Sequence, residues 1–196
     1  MESAPLRIAV IAGSTRPDRK SRAVARWVTN RAAASPADFV LVDLADHPLP
    51  FLDEPLPAIH GSYAHPHTRA WAALIDSFDA YVFVVPEYNR SIPAVLKNAL
   101  DFLHAEWRDK AAGFVGYGAD ASGARAVEHL RLIMGELQVA DVRSHVLLSA
   151  FTDFDRDGAP RPPEHAEAQL HTMLEQLLSW GTALRSVRTE TAAVAG

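Results

Sequence analysis

The sequence predicts an α/β fold: a parallel sheet of five strands in the order 2-1-3-4-5, with helices on both faces. Three observations predict it. Five short apolar runs alternate with five segments whose apolar residues recur at helical spacing, the pattern of repeated strand–helix units. The third run, Ala80-Tyr81-Val82-Phe83-Val84-Val85, is continuously apolar and stops at Pro86, as a strand buried on both faces does. Polar loops follow the first and third runs, and right-handed crossovers leave few other topologies. In this strand order the switch point lies between strands one and three, and ligands bind there, at the carboxyl ends of the strands.

The elements follow in order. Leu6 to Ala12, interrupted only by Arg7, is the first strand. Arg19 to Ala34 is a helix with Ala23, Val24, Trp27, Val28 and Ala32 on its apolar side. Phe39 to Leu44 is the second strand. Asp46 to Ile59 carries Pro48, Pro50, Pro55 and Pro57, which exclude regular helix or central strand. Thr68 to Phe78 is a helix facing the core with Trp71, Leu74, Ile75 and Phe78. Tyr81–Val85 is the third strand, and Pro93 opens the helix Ala94 to His104. Ala111 to Tyr117 is the fourth strand. Gly123 to Gln138 is a helix with the stripe Val127, Leu130, Ile133, Met134 and Leu137. Val142 to Leu148 is the fifth strand. Glu164 to Leu184 is a closing helix with Leu170, Leu174, Leu177 and Gly181 inward.

The 196 residues fit one domain, 1–196, with 186–196 as a small, polar, frayed tail. Hydrophobic content of 48% and charged content of 22% are those of an ordinary globular protein. A net charge of -5 argues against a nucleic-acid partner. The absence of cysteine excludes disulfides, thiolate metal sites and Cys nucleophiles. The N-terminus lacks a basic region, so no signal peptide is read, and no apolar run is long enough to span a bilayer. A cytoplasmic protein is expected.

Chemistry concentrates in three loops. Residues 13–21, Gly13-Ser14-Thr15-Arg16-Pro17-Asp18-Arg19-Lys20-Ser21, put hydroxyls and cations at the start of a helix. Free N–H groups and a partial positive charge there suit an anion, and Arg grips phosphate oxygens. The loop matches neither a Walker A motif nor a Gly-x-Gly-x-x-Gly fingerprint. One glycine and several hydroxyls fit a phosphate monoester better than a pyrophosphate. A capped helix with a solvated basic turn carries the same residues. Pro86-Glu87-Tyr88-Asn89 offers an aromatic and apolar wall with backbone polar groups, as a flat polar ring needs. A plain strand-to-helix turn also favours Pro and Asn. The third loop, Tyr117-Gly118-Ala119-Asp120-Ala121-Ser122-Gly123, lets backbone approach a ligand at its glycines. His60, His65 and His67 cluster with no second ligand group and are read as surface residues.

The run Pro-Glu-Tyr-Asn-x-Ser-x-Pro-x-x-Leu-Lys-Asn-x-x-Asp from Pro86 to Asp101, with the loop Gly13-Ser14-Thr15-Arg16-Pro17, resembles the NADPH-dependent FMN reductase family. These are flavodoxin-like flavoenzymes, and the resemblance runs from Ile8 to about Leu184. It implies FMN as cofactor and NADPH as hydride donor. Ser14, Arg16 and Ser21 carry over as phosphate ligands, and Arg19 matches less strictly. Pro86, Glu87, Tyr88 and Asn89, with Tyr117, Gly118 and Gly123, carry over around the flavin ring. Ser122 stands where the family has a glycine. No catalytic side chain and no metal ligand is expected.

The resemblance also implies a homodimer, or a tetramer built from it. The arc covered by Val95, Leu96, Ala99, Leu100, Phe102 and Leu103 is roughly 160°, wider than a minimal core stripe of roughly 100°. The dimer reading places Trp107 near the partner's flavin; a helix tucked under the Pro-rich loop explains the same arc. The expected reaction is hydride transfer from NADPH to FMN, then to a quinone, azo compound, free flavin or metal ion, with ping-pong kinetics. A flavodoxin-type electron carrier and a non-catalytic binding domain share the same fold. A phosphoacceptor receiver would need acidic residues where Gly13-Ser14-Thr15 and Pro86-Glu87 stand.

Overall fold

The computed structural model describes residues 4–195. Residues 1–3 and Gly196, which the sequence reading includes, lie outside the described residues. Strands β1 (Arg7–Ala12), β2 (Asp38–Asp43), β3 (Ala80–Pro86) and β4 (Lys110–Gly118) form the parallel sheet with β5 (Val139–Asp141) and β6 (Val146–Ser149). The order is β2-β1-β3-β4-β5, with β6 also paired to β4. Ile11 pairs with Val42 on one side and Phe83 on the other, and Phe83 pairs with Phe114. Every residue of β3 and β4 is buried, which is why these runs read as continuously apolar.

Alternation of side chains across the sheet divides the core in two. Ile11, Phe83 and Phe114 face helices α2 (Pro66–Asp76), α3 (Ala94–Asp101) and α4 (Ala124–Glu136). Val10, Val82 and Val115 face α1 (Ser21–Arg31) and α5 (Glu164–Ala195). The helices thus cover both faces, as a parallel sheet requires.

Three expectations are corrected. The fifth strand is not one run from Val142 to Leu148. It is β5 and β6, which pair with the start and the end of β4. Between Asp141 and Val146 four residues loop out, opposite only two of β4. Arg131 closes this bulge: it binds the Asp141 carboxylate, donates to Val142 O (3.1 Å) and Arg143 O (3.2 Å), and lies over the Phe114 ring. The closing helix does not end at Leu184 with a frayed tail but continues to Ala195. Arg185 and Arg188 anchor its later turns on Asp79, and Arg188 also donates to Asp109 O at 2.6 Å. Burial pushes the Asp79 carboxyl up, but hydrogen bonds from Arg185 and the Arg7 N–H, with Arg188 beside them, bring it below its ordinary value.

The third correction concerns the apolar arc of α3. Leu96 and Leu100 are fully buried in the protein's own core. Trp107 is buried too, packed within its own chain on Trp71, Tyr81 and Phe83 and donating to Leu100 O at 3.2 Å. The Pro-rich segment lies over α3. Asn98 holds it there, accepting from Leu52 N–H (3.0 Å) and donating to Pro50 O (2.7 Å).

Candidate functional site

The site begins where β1 ends. Gly13 N–H donates to Val84 O at 2.9 Å. A Cβ on Gly13 would stand 3.0 Å from that oxygen and 3.1 Å from Leu96 Cδ2, so the chain leaves β1 pressed between β3 and α3. Ser14 and Ser21 are buried beneath the loop that follows. Ser14 Oγ shares a 2.9 Å hydrogen bond with the Tyr88 hydroxyl and accepts from Arg16 N–H at 3.4 Å; Ser21 Oγ donates to Ser14 O at 3.5 Å. Asp18 turns the loop in the left-handed region (φ 54°). Lys20, at the N-cap of α1, makes no capping side-chain bond, which leaves the helix start available to an anion.

Two of the four cations in residues 16–22, Arg16, Arg19, Lys20 and Arg22, are already engaged. Asp43, at the end of β2, is fully buried, and Arg19 donates to its carboxylate at 2.6 Å, with Arg22 3.4 Å away. The Nε atoms of both arginines are buried without a hydrogen-bond partner. A carboxylate shared by two guanidiniums cancels part of the loop's charge and fixes its position. This acid was missed in the sequence. The order 2-1-3 places the end of β2 beside the first loop, and an acid there was the available signal.

The second loop is shaped by its own turn. Glu87 N–H donates to Tyr117 O at 2.9 Å, continuing the sheet. Tyr88 and Ser91 exchange backbone hydrogen bonds of 2.9 and 3.0 Å, with Asn89 (φ 49°) and Arg90 (φ 69°) both left-handed between them. That is a two-residue turn of the I′ kind, in which Asn is favoured. The Glu87 side chain points to the start of α4, where it accepts from Arg125 N–H at 3.2 Å and from the guanidinium.

In the third loop Gly123 (φ +91°) opens α4 against β4. A Cβ there would stand 2.3 Å from Tyr117 N, so only glycine lets the helix approach the strand so closely. Ser122, where a first glycine is expected, also adopts the left-handed region (φ 51°). Burial raises the Tyr117 hydroxyl above its ordinary value, so that phenol stays protonated.

These loops meet around a cleft of about 430 Å³. Arg16, Arg19 and Lys20 line it from the first loop, Pro86, Glu87 and Tyr88 from the second, and Tyr117 and Gly118 from the third. Ser14 and Ser21 lie below it, while Asn89, Ser122 and Gly123 are not on its wall. A fourth loop, after β6, was missed. Ala150 lines the cleft, and its N–H donates to Gly118 O at 2.7 Å. Its signal was its place at the carboxyl end of a strand. Guanidinium and ammonium donors and the walls of Pro86, Tyr88 and Tyr117 line one cleft, with the Ser14 and Ser21 hydroxyls beneath it, and this set suits a phosphate monoester joined to a flat ring.

Residues 6–153 match the NADPH-dependent FMN reductase family. The chain is 40% identical over 136 residues to an NAD(P)H-dependent FMN reductase of Schizosaccharomyces pombe, covering 68% of each protein. It is 34% identical over 144 residues to a 2-hydroxy-1,4-benzoquinone reductase of a Burkholderia species, covering 68% of this chain and 73% of that one. Its fold superposes with a TM-score of 0.70, at 20% identity, on a flavoenzyme NAD(P)H:(acceptor) oxidoreductase of Paracoccus denitrificans, covering 91% of this chain and 98% of that one.

Proposed function

We propose that this chain, which belongs to the NADPH-dependent FMN reductase family, holds FMN in the cleft between its first and third loops. The chain is an oxidoreductase that uses NADPH and FMN to reduce a quinone-type acceptor. FMN held there would supply the redox chemistry, with hydride coming from the nicotinamide and electrons leaving to the acceptor. The carrying observation is convergence: cations of the first loop and the Pro86–Tyr88 wall line one cleft.

In this reading Arg16 and the start of α1 hold the phosphate, over a loop braced from below by the buried Ser14 and Ser21 hydroxyls. Arg19 contributes as one half of its pair with Asp43. Pro86 and Tyr88 wall the ring, and the Tyr88–Ser14 hydrogen bond ties that wall to the phosphate loop. Glu87, its carboxylate engaged by Arg125, offers only its backbone carbonyl. Gly118 supplies backbone to the polar edge of the ring, with Tyr117 beside it, while Asn89, Ser122 and Gly123 shape the second and third loops behind the cleft wall. No side chain acts as an obligatory acid or base. One cleft serves donor and acceptor in turn, so ping-pong kinetics with parallel double-reciprocal lines are expected. Intersecting lines would reject the shared site.

The dimer is kept, but on a different surface. Phe51, Leu52, Leu56 and Ile59 of the Pro-rich segment are exposed apolar side chains on the loop that covers α3. A homodimer formed through them, or a tetramer built from it, replaces the buried Leu96 and Leu100 as the interface. The cytoplasmic assignment belongs to this proposal and is checked by cell fractionation.

The deciding experiment is a visible spectrum of the purified protein, chromatography of the released flavin, and addition of NADPH under argon. Released FMN and bleaching by NADPH are expected. FAD, or no flavin affinity, overturns the reading; FMN without bleaching favours an electron carrier.

A further inference from the structure

The four cations near the start of α1 are held in different ways. Arg19 and Arg22 are held by a buried carboxylate, which fixes them and offsets their charge. Lys20 forms no ion pair among the described residues. Its ammonium sits 4.1 Å from the centre of the Phe154 ring. A ring face attracts a cation without cancelling its charge. Lys20 also lines the cleft, with Arg16 and Arg19, so a held and uncancelled charge stands on its wall.

Phe154 is itself fixed. Its ring packs on Tyr117, centroids 5.9 Å apart. The loop carrying it is braced on both sides. Asp153 Oδ2 accepts from Ser149 N–H at 2.8 Å, and Asp153 O accepts from Arg161 N–H at 2.7 Å. Asp155 Oδ1 accepts from Asp157 N–H at 3.1 Å and Ala159 N–H at 2.9 Å. Phe154 lies just beyond residue 153, where the family match ends.

We propose that Lys20 is a ligand of the anionic end of the bound molecule and that Phe154 is its positioning residue. The ring keeps the ammonium over the cleft and leaves its charge for a phosphate monoester. This rests on the FMN reading above. For Lys20 it replaces the alternative of a solvated basic turn.

FMN and riboflavin differ by the phosphate alone, so they separate this role from packing. The full chain is titrated with each flavin by fluorescence quenching. Lys20→Met is expected to raise the FMN Kd about tenfold and leave the riboflavin Kd unchanged, the scale of a hydrogen bond to a charged group. Phe154→Leu is expected to raise the FMN Kd about threefold, Phe154→Tyr to restore it, and Lys20→Met/Phe154→Leu to be no weaker than Lys20→Met. An unchanged FMN Kd in Lys20→Met, or equal losses for both flavins, overturns the assignment. Additive losses in the double variant overturn the positioning role. A wild-type chain that binds neither flavin overturns the FMN reading itself, and this proposal with it.

Discussion

Arg16 carries the least committed charge in the cleft: it has no ion pair among the described residues, whereas Arg19 and Arg22 share Asp43. Arg16→Ala should therefore weaken FMN binding by roughly 1.5–3 kcal/mol with the melting temperature unchanged; equal affinity in a fluorescence titration would place the phosphate elsewhere. Gly123 is a glycine for a different reason. Its missing Cβ makes room for the backbone of β4, so Gly123→Ala should cost roughly 2–4 kcal/mol in urea denaturation, from overpacking and left-handed strain together. A loss below 1 kcal/mol would mean that α4 moves aside easily. The three loops that line the cleft were legible from their residue types, but Asn89, Ser122 and Gly123 lie off its wall, Asp43 and Ala150 were missed, and what each residue does was legible only in part. Nothing near Glu87 in the sequence points to Arg125 as its partner, and Asn89 reads equally well as a ligand and as a turn residue. The pairing of Arg19 with Asp43 depends on which strands are neighbours.

Lys110 shows how an element junction makes stability depend on pH. It starts β4, and its Nζ donates to Ile75 O and Asp76 O, both at 3.2 Å, at the end of α2. Burial lowers its pKa to about 8, and Asp76 opposes this only in part. An unfolded chain holds that proton to about pH 10.4. Between these values the unfolded state binds more protons, so this group's contribution to stability rises with pH, by at most about 1.4 kcal/mol per unit. Below pH 8 both states are charged, and the cost of burying the ammonium is present in full. Urea midpoints at pH 7.5, 8.5 and 9.5 should rise for the wild type relative to Lys110→Met. A constant difference would show that the buried ammonium keeps its ordinary affinity for the proton. The first four strands were legible to within one residue, because burial on both faces gives β1, β3 and β4 an almost uninterrupted apolar signal and the half-buried edge strand β2 still carries the apolar run Phe39–Val42. The fifth was not. Arg143, Ser144 and His145 form a polar bulge inside an apolar run, and its closure by Arg131 comes from another element. Helix α3 misled in the opposite sense, since a wide apolar arc is also what a helix between a sheet and a covering loop needs.

Across the whole molecule the topology was legible because alternation and crossover handedness determine it together, whereas assembly was not, since a buried arc and an interface share one composition. Phe51 and Ile59 are 84% and 68% exposed. Phe51→Asp and Ile59→Asp should each shift a dimeric mass toward the monomer in light scattering while leaving the fold intact. A charge at Leu96 or Leu100 should instead unfold the chain. A wild type that is monomeric at micromolar concentration would remove the dimer. The bulge between β5 and β6 has a consequence for engineering. Laid in line, its two extra residues would carry Ala150 about 7 Å further along the strand. Looped out, they leave Ala150 bonded to Gly118 at the cleft. The loop thus takes up the surplus length of the chain: a short label on the exposed Arg143 side of it should leave the position of Ala150 at the cleft end of the sheet unchanged.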